Sequence, residues 1–509
     1  MTTAPARKAA ETDDGLADFG YSQTLSRSVG KFASFAAGIS YISILTGTFQ
    51  LFYFGFGTGG AAYWWSWPLV FAGQFMVALS FAELAARYPV AGSVYNWSKR
   101  LAGPAVSWLA GWMMFAASVV SLAAVALALQ LTLPQIWSGF QLIGDVADPG
   151  DAAVNGVLLG SALIVFTTVV NAMGVKLMAR INSAGVFLEL IAAVAIIVGL
   201  AFNIVNPPSV LLDTHGAGAG APGGYFSVFL VAALASSYVM YGFDTASSLG
   251  EETIDPRRNA PSAVLNAVLA SFVLGGLILL LIILAAPNLS DPAMADKSGG
   301  GQWVLMVVFG GGFGRLALIA IALAVVVCLL AVHTAAIRLM FAMARDNALP
   351  AGATLARIDP VRKTPVVPAV VIGVVAIVTL VAGIGAPEVF TALTSVAIIM
   401  IYLAYLLVTV PMLVKRLRGQ WPDGQQKGYF SLGRFGLPVN ILAVLWGAGM
   451  TVNLIWPRAE VYGSGWLKWI GFLFIGVVAL GGLCWFLLRG RHQLGCLPEH
   501  RASAGHEAS

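Results

Sequence analysis

The chain has 509 residues, 59% of them hydrophobic and 10% charged, with a mean hydropathy of +0.85. Soluble domains carry roughly 25% charged residues, so a water-soluble globular protein is excluded and the lipid bilayer is the expected solvent. The net charge of +5 reads as a topology signal, because the basic residues fall in alternate loops, and no nucleic-acid partner is expected.

Residues 1–30 are a polar tail with Glu11, Asp13 and Asp14 where a signal peptide would need an apolar core, so the first span is expected to direct insertion. Twelve stretches of membrane-crossing length follow, at 31–56, 64–87, 105–131, 154–173, 184–205, 224–250, 263–286, 316–341, 366–386, 389–414, 437–456 and 466–488. With a cytoplasmic N-terminus, 24 of the 28 Lys and Arg fall on the inside and only Lys297, Arg315, Arg458 and Lys468 on the outside. An odd number of spans would scramble that pattern, so both termini are expected in the cytoplasm. The three cysteines, Cys328, Cys484 and Cys496, lie within or on the inner side of spans, and no disulfide is expected.

The first span is interrupted by small residues around Leu45, Thr46 and Gly47, and the sixth by Gly242 beside Tyr241. Paired breaks five spans apart point to an inverted-repeat secondary transporter, with substrate held near the bilayer midplane. The competing reading is that these glycines only let helices approach closely. The implied organisation is a tail at 1–30, a first repeat at 31–205, an outer linker at 206–223 and a second repeat at 224–414. A cytoplasmic loop at 415–436, two appended spans at 437–488 and a tail at 489–509 complete it. The linker, NPPSVLLDTHGAGAGAPG, reads as flexible, and an apolar piece at Gln302 to Phe309, bounded by glycines, reads as a short helix on the outer face.

Four segments in order carry a resemblance: ISYISILTGTF from Ile39 to Phe49, AELAARYPVAGSVYNW from Ala82 to Trp97, YGFDTASSLGEETIDPRRNAP from Tyr241 to Pro261, and RLMFAMARDNALP from Arg338 to Pro350. Together they resemble the amino acid, polyamine and organocation (APC) superfamily of permeases, in the branch of bacterial amino acid permeases and fungal GABA and choline permeases. The resemblance covers nearly the whole chain. It implies an all-α integral membrane protein of twelve helices, with a LeuT-like five-plus-five inverted repeat and two extra helices.

The resemblance also assigns roles by motif position. The turn at Leu45, Thr46 and Gly47 would grip a substrate carboxylate through freed backbone N–H groups and the positive end of a half-helix. Thr-Gly stands here where many relatives have Gly-Ser-Gly. Tyr238 would cover the substrate as an aromatic lid, and Asp244 is an acid at a position where relatives commonly have one. On physical grounds Tyr241 offers a free carbonyl to an ammonium group beside Gly242, and Asp244 links the broken helix to occupancy or protonation. The alternative is that the tyrosines are packing aromatics and Asp244 only caps the second half-helix.

Glu189 is the only charge in the expected fifth span, and an isolated acid in hydrocarbon is a functional candidate. It reads as a proton carrier, or else as a group that satisfies a backbone gap in a neighbouring helix. Relatives often have a lysine near this point, so a carboxylate would replace it. His333 and Thr334 of the eighth span are candidates to join that site, His333 for a proton and Thr334 as an oxygen ligand for sodium. Glu83 and Arg87, four apart on one helix face, are expected to pair as part of a cytoplasmic gate or scaffold. Glu251, Glu252, Arg257, Arg258, Arg345 and Asp346 read in the same way, or as helix-end charges that fix topology.

No GxxxxGK[ST] phosphate loop and no Cys/His metal cluster occurs in the sequence, so an enzyme, an ATP-driven pump and a cofactor are not expected. The expected function is a plasma-membrane permease importing an amino acid or small amine such as GABA, by proton (alternatively sodium) symport or exchange. A choline- or ethanolamine-type cation carrier, using Tyr41, Phe49, Tyr238 and Tyr241, is the alternative, as is a transport-inactive sensor. Substrate identity and oligomeric state are not legible.

Overall fold

A computed structural model describes residues 16–146, 148–384, 389–422 and 429–502. The outer parts of both expected tails, with Glu11, Asp13 and Asp14, and residues 423–428 of the 415–436 loop lie outside them.

Among the described residues the chain is helical, and ten helices are long and apolar enough to cross a bilayer. These are Lys31–Gln50, Ala61–Arg87, Pro104–Ile136, Pro149–Met173, Val175–Ala201, Pro256–Ala285, Gly300–Arg345, Phe390–Leu417, Gly433–Ile455 and Leu467–Gln493. Two shorter apolar helices, Gly224–Ser237 and Val366–Ala382, stand where the sixth and ninth spans are expected. Counting these, we number the spans one to twelve in chain order. Helices are the form that lets a chain cross hydrocarbon with every backbone group satisfied inside one segment.

The third span, Pro104–Ile136, is the central pillar, packing along both the eighth span and the tenth. The first span is largely buried, whereas the fifth, eleventh and twelfth keep most of their surface outward. The fifth shows how an all-apolar helix is oriented. Val186, Glu189, Ala193 and Ile196, spaced by three or four residues, face inward, while Phe187, Leu188, Ile191 and Val194 are exposed to the surroundings.

Several expectations are amended. The eighth span begins a few residues before 316, just after a non-helical joint at Gly310 (φ 71°), and the helix from Gly300 up to that joint is the short one expected at 302–309. The 206–223 linker is not free of structure. A turn at Pro208–Leu212 is tied to the second span by Trp65 Nε1 donating to the Leu211 carbonyl (3.1 Å) and Ala62 N–H to that of Asp213 (2.9 Å). A further helix, Ser93–Ala102, lies between the second and third spans, where only a loop is expected.

Candidate functional site

Two helices lose their geometry at the centre of the bundle. The first span runs as Lys31–Ile42, departs from helix at Ser43 (φ 43°, ψ 99°) and resumes at Ile44–Gln50. The break therefore precedes the expected turn, and Leu45, Thr46 and Gly47 belong to the second half-helix. Alternating β-branched residues, Ile42, Ile44, Thr46 and Thr48, weaken helix propensity here. A serine held at positive φ is strained by about 1–3 kcal/mol and persists only where its surroundings over-determine it.

Those surroundings are the fifth span. Glu189 Oε1 accepts from Ser43 Oγ (3.0 Å) and from the Leu45 backbone N–H (3.1 Å), and Ser43 Oγ lies 2.7 Å from Thr46 Oγ1. The regular ladder resumes only at Gly47 N–H, which donates to the Ser43 carbonyl at 2.8 Å. Glu189, 4% exposed, is thus an N-cap supplied by another helix. Of the two roles open for it, it fills at least the satisfaction of a backbone gap.

The sixth span unwinds between Gly224–Ser237 and the short helix Thr245–Ser248, with Gly242 at φ 82°. A Cβ on Gly242 would lie 1.9 Å from the Tyr41 ring, and one on Gly47 would lie 2.7 Å from Val239 Cγ2. The two breaks therefore pass each other at a distance that only glycine permits. Among the described residues the Tyr241 carbonyl accepts no backbone hydrogen bond, as expected for a freed group. Tyr238, Tyr241 and Tyr41 form a chain of edge-on rings, with centroids 6.3 Å apart for the first pair and 6.0 Å for Tyr241 and Tyr41. Tyr238 also meets Phe390 of the tenth span (6.4 Å), and its buried hydroxyl has no hydrogen-bond partner among the described residues.

Asp244 is not a helix cap, because its side chain bonds none of the N–H groups of Thr245–Ser248. Tyr405 of the tenth span donates to Asp244 Oδ1 at 2.6 Å, and Ser93 Oγ donates to Oδ2 at 2.7 Å. The same Tyr405 oxygen accepts the Gly242 N–H at 3.0 Å, so one phenol holds both the unwound backbone and the acid that follows it. Both carboxyl oxygens of the buried Asp244 thus have a hydroxyl partner, as a buried polar group requires.

His333 and Thr334 do not join Glu189. His333 Nδ1 is 3.0 Å from Thr167 Oγ1 and Nε2 is 3.0 Å from the Ala369 carbonyl, and Thr334 donates to Asn171 Oδ1 (2.8 Å) and the Leu330 carbonyl (2.7 Å). Their bonds tie the eighth span to the fourth and ninth. Glu83 and Arg87 do not pair either. Glu83 makes an ion pair with Arg416 and accepts from Trp421 Nε1 (3.1 Å), Ser431 Oγ (3.0 Å) and the Leu432 N–H (3.2 Å), while Arg87 lies over the Trp421 ring at 5.0 Å. Nor does Arg345 pair with its neighbour Asp346. It makes a two-pronged bridge to Glu251 (2.9 and 3.0 Å), parallel to one between Arg338 and Glu252 (3.0 and 3.1 Å), and all four side chains are buried.

Sequence reasoning missed Ser43, Ser93 and Tyr405. Ser93 had only the coarse signal of following Pro89 and Gly92, residues that punctuate helices. Tyr405 had none, being one aromatic in a long apolar helix.

A model of the family described as "Amino acid permease" matches residues 24–482. The chain is 25% identical to the amino-acid permease BAT1 of Arabidopsis thaliana, over 94% of each chain. It is also 25% identical to amino-acid permease 2 of Neurospora crassa, over 94% of this chain and 88% of that one. With the branched-chain amino acid permease BcaP of Bacillus subtilis it shares 26% identity, over 92% and 95%. Spanning the broken first helix, the unwound sixth and the tenth that clasps it, the match shows that this chain is a multi-pass membrane protein belonging to the amino acid permease family.

Proposed function

We propose that the chain is a secondary active carrier that imports a small zwitterion across the plasma membrane by proton symport or exchange, with both termini in the cytoplasm. The observation that carries this reading is the pairing of two complementary ends at one place. At Leu45 the first span opens a half-helix whose N–H is held by a carboxylate, that of Glu189, in the place a substrate carboxylate would take, and at Tyr241 the sixth has a carbonyl that accepts no backbone hydrogen bond among the described residues and would suit an ammonium. The break pair, five spans apart, supports an inverted repeat of 31–205 and 224–414, with the remaining two spans appended.

Glu189 is the coupling group in this reading. Its carboxylate occupies the same N-terminal end of a half-helix that a substrate carboxylate would seek, so two negative groups compete there. A proton on Glu189 removes one of those charges and favours substrate entry, and loss of substrate on the inner side lets the carboxylate return to Leu45. Tyr238 closes over the substrate, with Tyr41 and Tyr241 forming the aromatic wall. Asp244 and Gly242, clasped by Tyr405, transmit occupancy to the inner half of the sixth span.

The names of the relatives favour an amino acid, with branched-chain residues the first to try, and the resemblance read from the sequence adds GABA. The test is uptake into proteoliposomes under an inward proton gradient without sodium, challenged by unlabelled branched-chain amino acids, GABA and choline. Accumulation blocked by amino acids supports the reading. Block by choline alone would move the substrate to the organic cations, and binding without flux in any gradient would make the chain a sensor.

A further inference from the structure

On the face where the first and last described residues lie, the segment before the first span is clamped between the end of the sixth span at 250–254 and the C-terminal segment 494–502. Ser28 and Val29 N–H donate to the Glu252 carbonyl (2.9 and 2.8 Å), and Ile254 N–H returns to that of Val29 (2.9 Å). On its other side, Ser22 N–H donates to the His500 carbonyl (3.0 Å) and Ala502 N–H to that of Gly20 (3.2 Å). The tail is anchored in turn on the end of the eighth span, by Leu497 N–H to the Arg345 carbonyl (2.9 Å) and Gly495 N–H to the Asp346 carbonyl (3.0 Å). His500, 5% exposed, sets its ring edge-on to Phe341 at 5.6 Å and its Nε2 3.1 Å from the Ala356 carbonyl.

Tyr21 sits where these strands meet. It is 2% exposed, with its phenol oxygen 3.0 and 3.1 Å from the two oxygens of Asp346 and accepting from Lys99 Nζ at 3.1 Å. Its ring lies 3.8 Å from the Arg345 guanidinium, the partner of Glu251. Lys99 also bridges Asp346 directly at 2.6 Å. One element joins this cluster to the centre. The helix Ser93–Ala102 holds Asp244 through Ser93 in its first turn and Asp346 through Lys99 in its last, about 9 Å along its axis at 1.5 Å per residue.

We infer that Tyr21 is a positioning residue of the transport cycle: it bolts the eighth span to the Ser93–Ala102 helix on the inner face, and the C-terminal tail at 494–502 holds the bolt shut. Opening toward that face must draw the Thr245–Ser248 half-helix and the 250–254 loop away from the eighth span. That movement breaks the Tyr21–Asp346 contact, and the tail's hydrogen bonds resist it. The bolt and Asp244 therefore report to each other through one rigid helix, which is a coupling between two sites carried by a defined element. The inference rests on the cytoplasmic placement of the termini proposed above.

The test measures the opening itself, without substrate, so that it is independent of what the protein carries. Ser247, buried beside the break, is replaced by cysteine in a chain with its own three cysteines changed to serine, and its labelling by a membrane-impermeant maleimide is timed from the termini side. Tyr21→Phe keeps the ring over Arg345 and removes the hydroxyl bonds. A chain ended after Gln493 removes the tail, and His500→Ala loosens it should the shortened chain fail to fold. Each is expected to raise the labelling rate at least fivefold, and the combination of Tyr21→Phe with either tail change no further than the larger single effect. Unchanged labelling in Tyr21→Phe and in the tail variant would overturn the inference, and so would independent, multiplying increases.

Discussion

Glu189 accepts the backbone N–H of Leu45 at 3.1 Å, so the sole acid of the fifth span closes the gap in the first. An acid cannot be left alone in hydrocarbon, and neither can the N–H groups of a broken helix. Each feature is costly by itself, and each supplies what the other lacks. The arrangement has a further property: the bonds are strongest to the ionised carboxylate, so in the proposed cycle a proton on Glu189 would weaken the hold on the break in the first span.

The clasp at Tyr405 predicts a second sensitivity. Tyr405→Phe removes the donor to Asp244 and the acceptor for Gly242 while keeping the ring, and a hydrogen bond to a charged group contributes about 1.5–3 kcal/mol. Transport is expected to fall 10- to 100-fold with insertion and monodispersity retained, the loss falling on the maximal rate more than on substrate affinity. Initial-rate kinetics in proteoliposomes check this, and an unchanged maximal rate would return Tyr405 to a packing role.

The close passage of the two breaks predicts that neither glycine tolerates a methyl group. At Gly242 alanine meets both the Tyr41 ring and a positive φ, whose backbone cost alone is about 1–2 kcal/mol. Gly242→Ala and Gly47→Ala should abolish substrate protection against thermal unfolding in detergent. Gly476→Ala, with nothing within 4 Å of the added carbon, should leave that protection intact.

The inner bridges predict a stability effect of a different size. Glu251→Gln leaves the Arg345 guanidinium buried without its counter-charge, a change that costs about 3–5 kcal/mol in a buried pair. Arg258, exposed and 4.0 Å from Asp255, should change stability by no more than about 0.5 kcal/mol when replaced by glutamine. Thermal unfolding of the purified variants separates the two.

The spans were legible because the bilayer imposes length and apolarity on each of them. The breaks were legible only in part. Gly242 marked the sixth correctly, but in the first span the glycine at 47 drew attention away from Ser43, which bends under constraint from Glu189 and not by its own preference. Pairings across helices were the least legible. Glu83 and Arg87 are neighbours on one face, yet Glu83 finds a tight pocket formed by Arg416, Trp421, Ser431 and Leu432, brought together by tertiary packing alone. His333 shows the reverse case, a titratable side chain in a central helix whose two nitrogens are already engaged by Thr167 and Ala369.

The most direct test of the account is Glu189→Gln, assayed in proteoliposomes for accumulation under an inward proton gradient and for exchange with preloaded amino acid. The amide keeps an oxygen for Ser43 and Leu45 but cannot carry the charge. The account predicts that accumulation is lost while exchange persists at a rate within a few-fold of the unmodified chain. Gradient-driven accumulation that survives in Glu189→Gln would contradict it, leaving Glu189 as a cap for the first span and placing the coupling elsewhere.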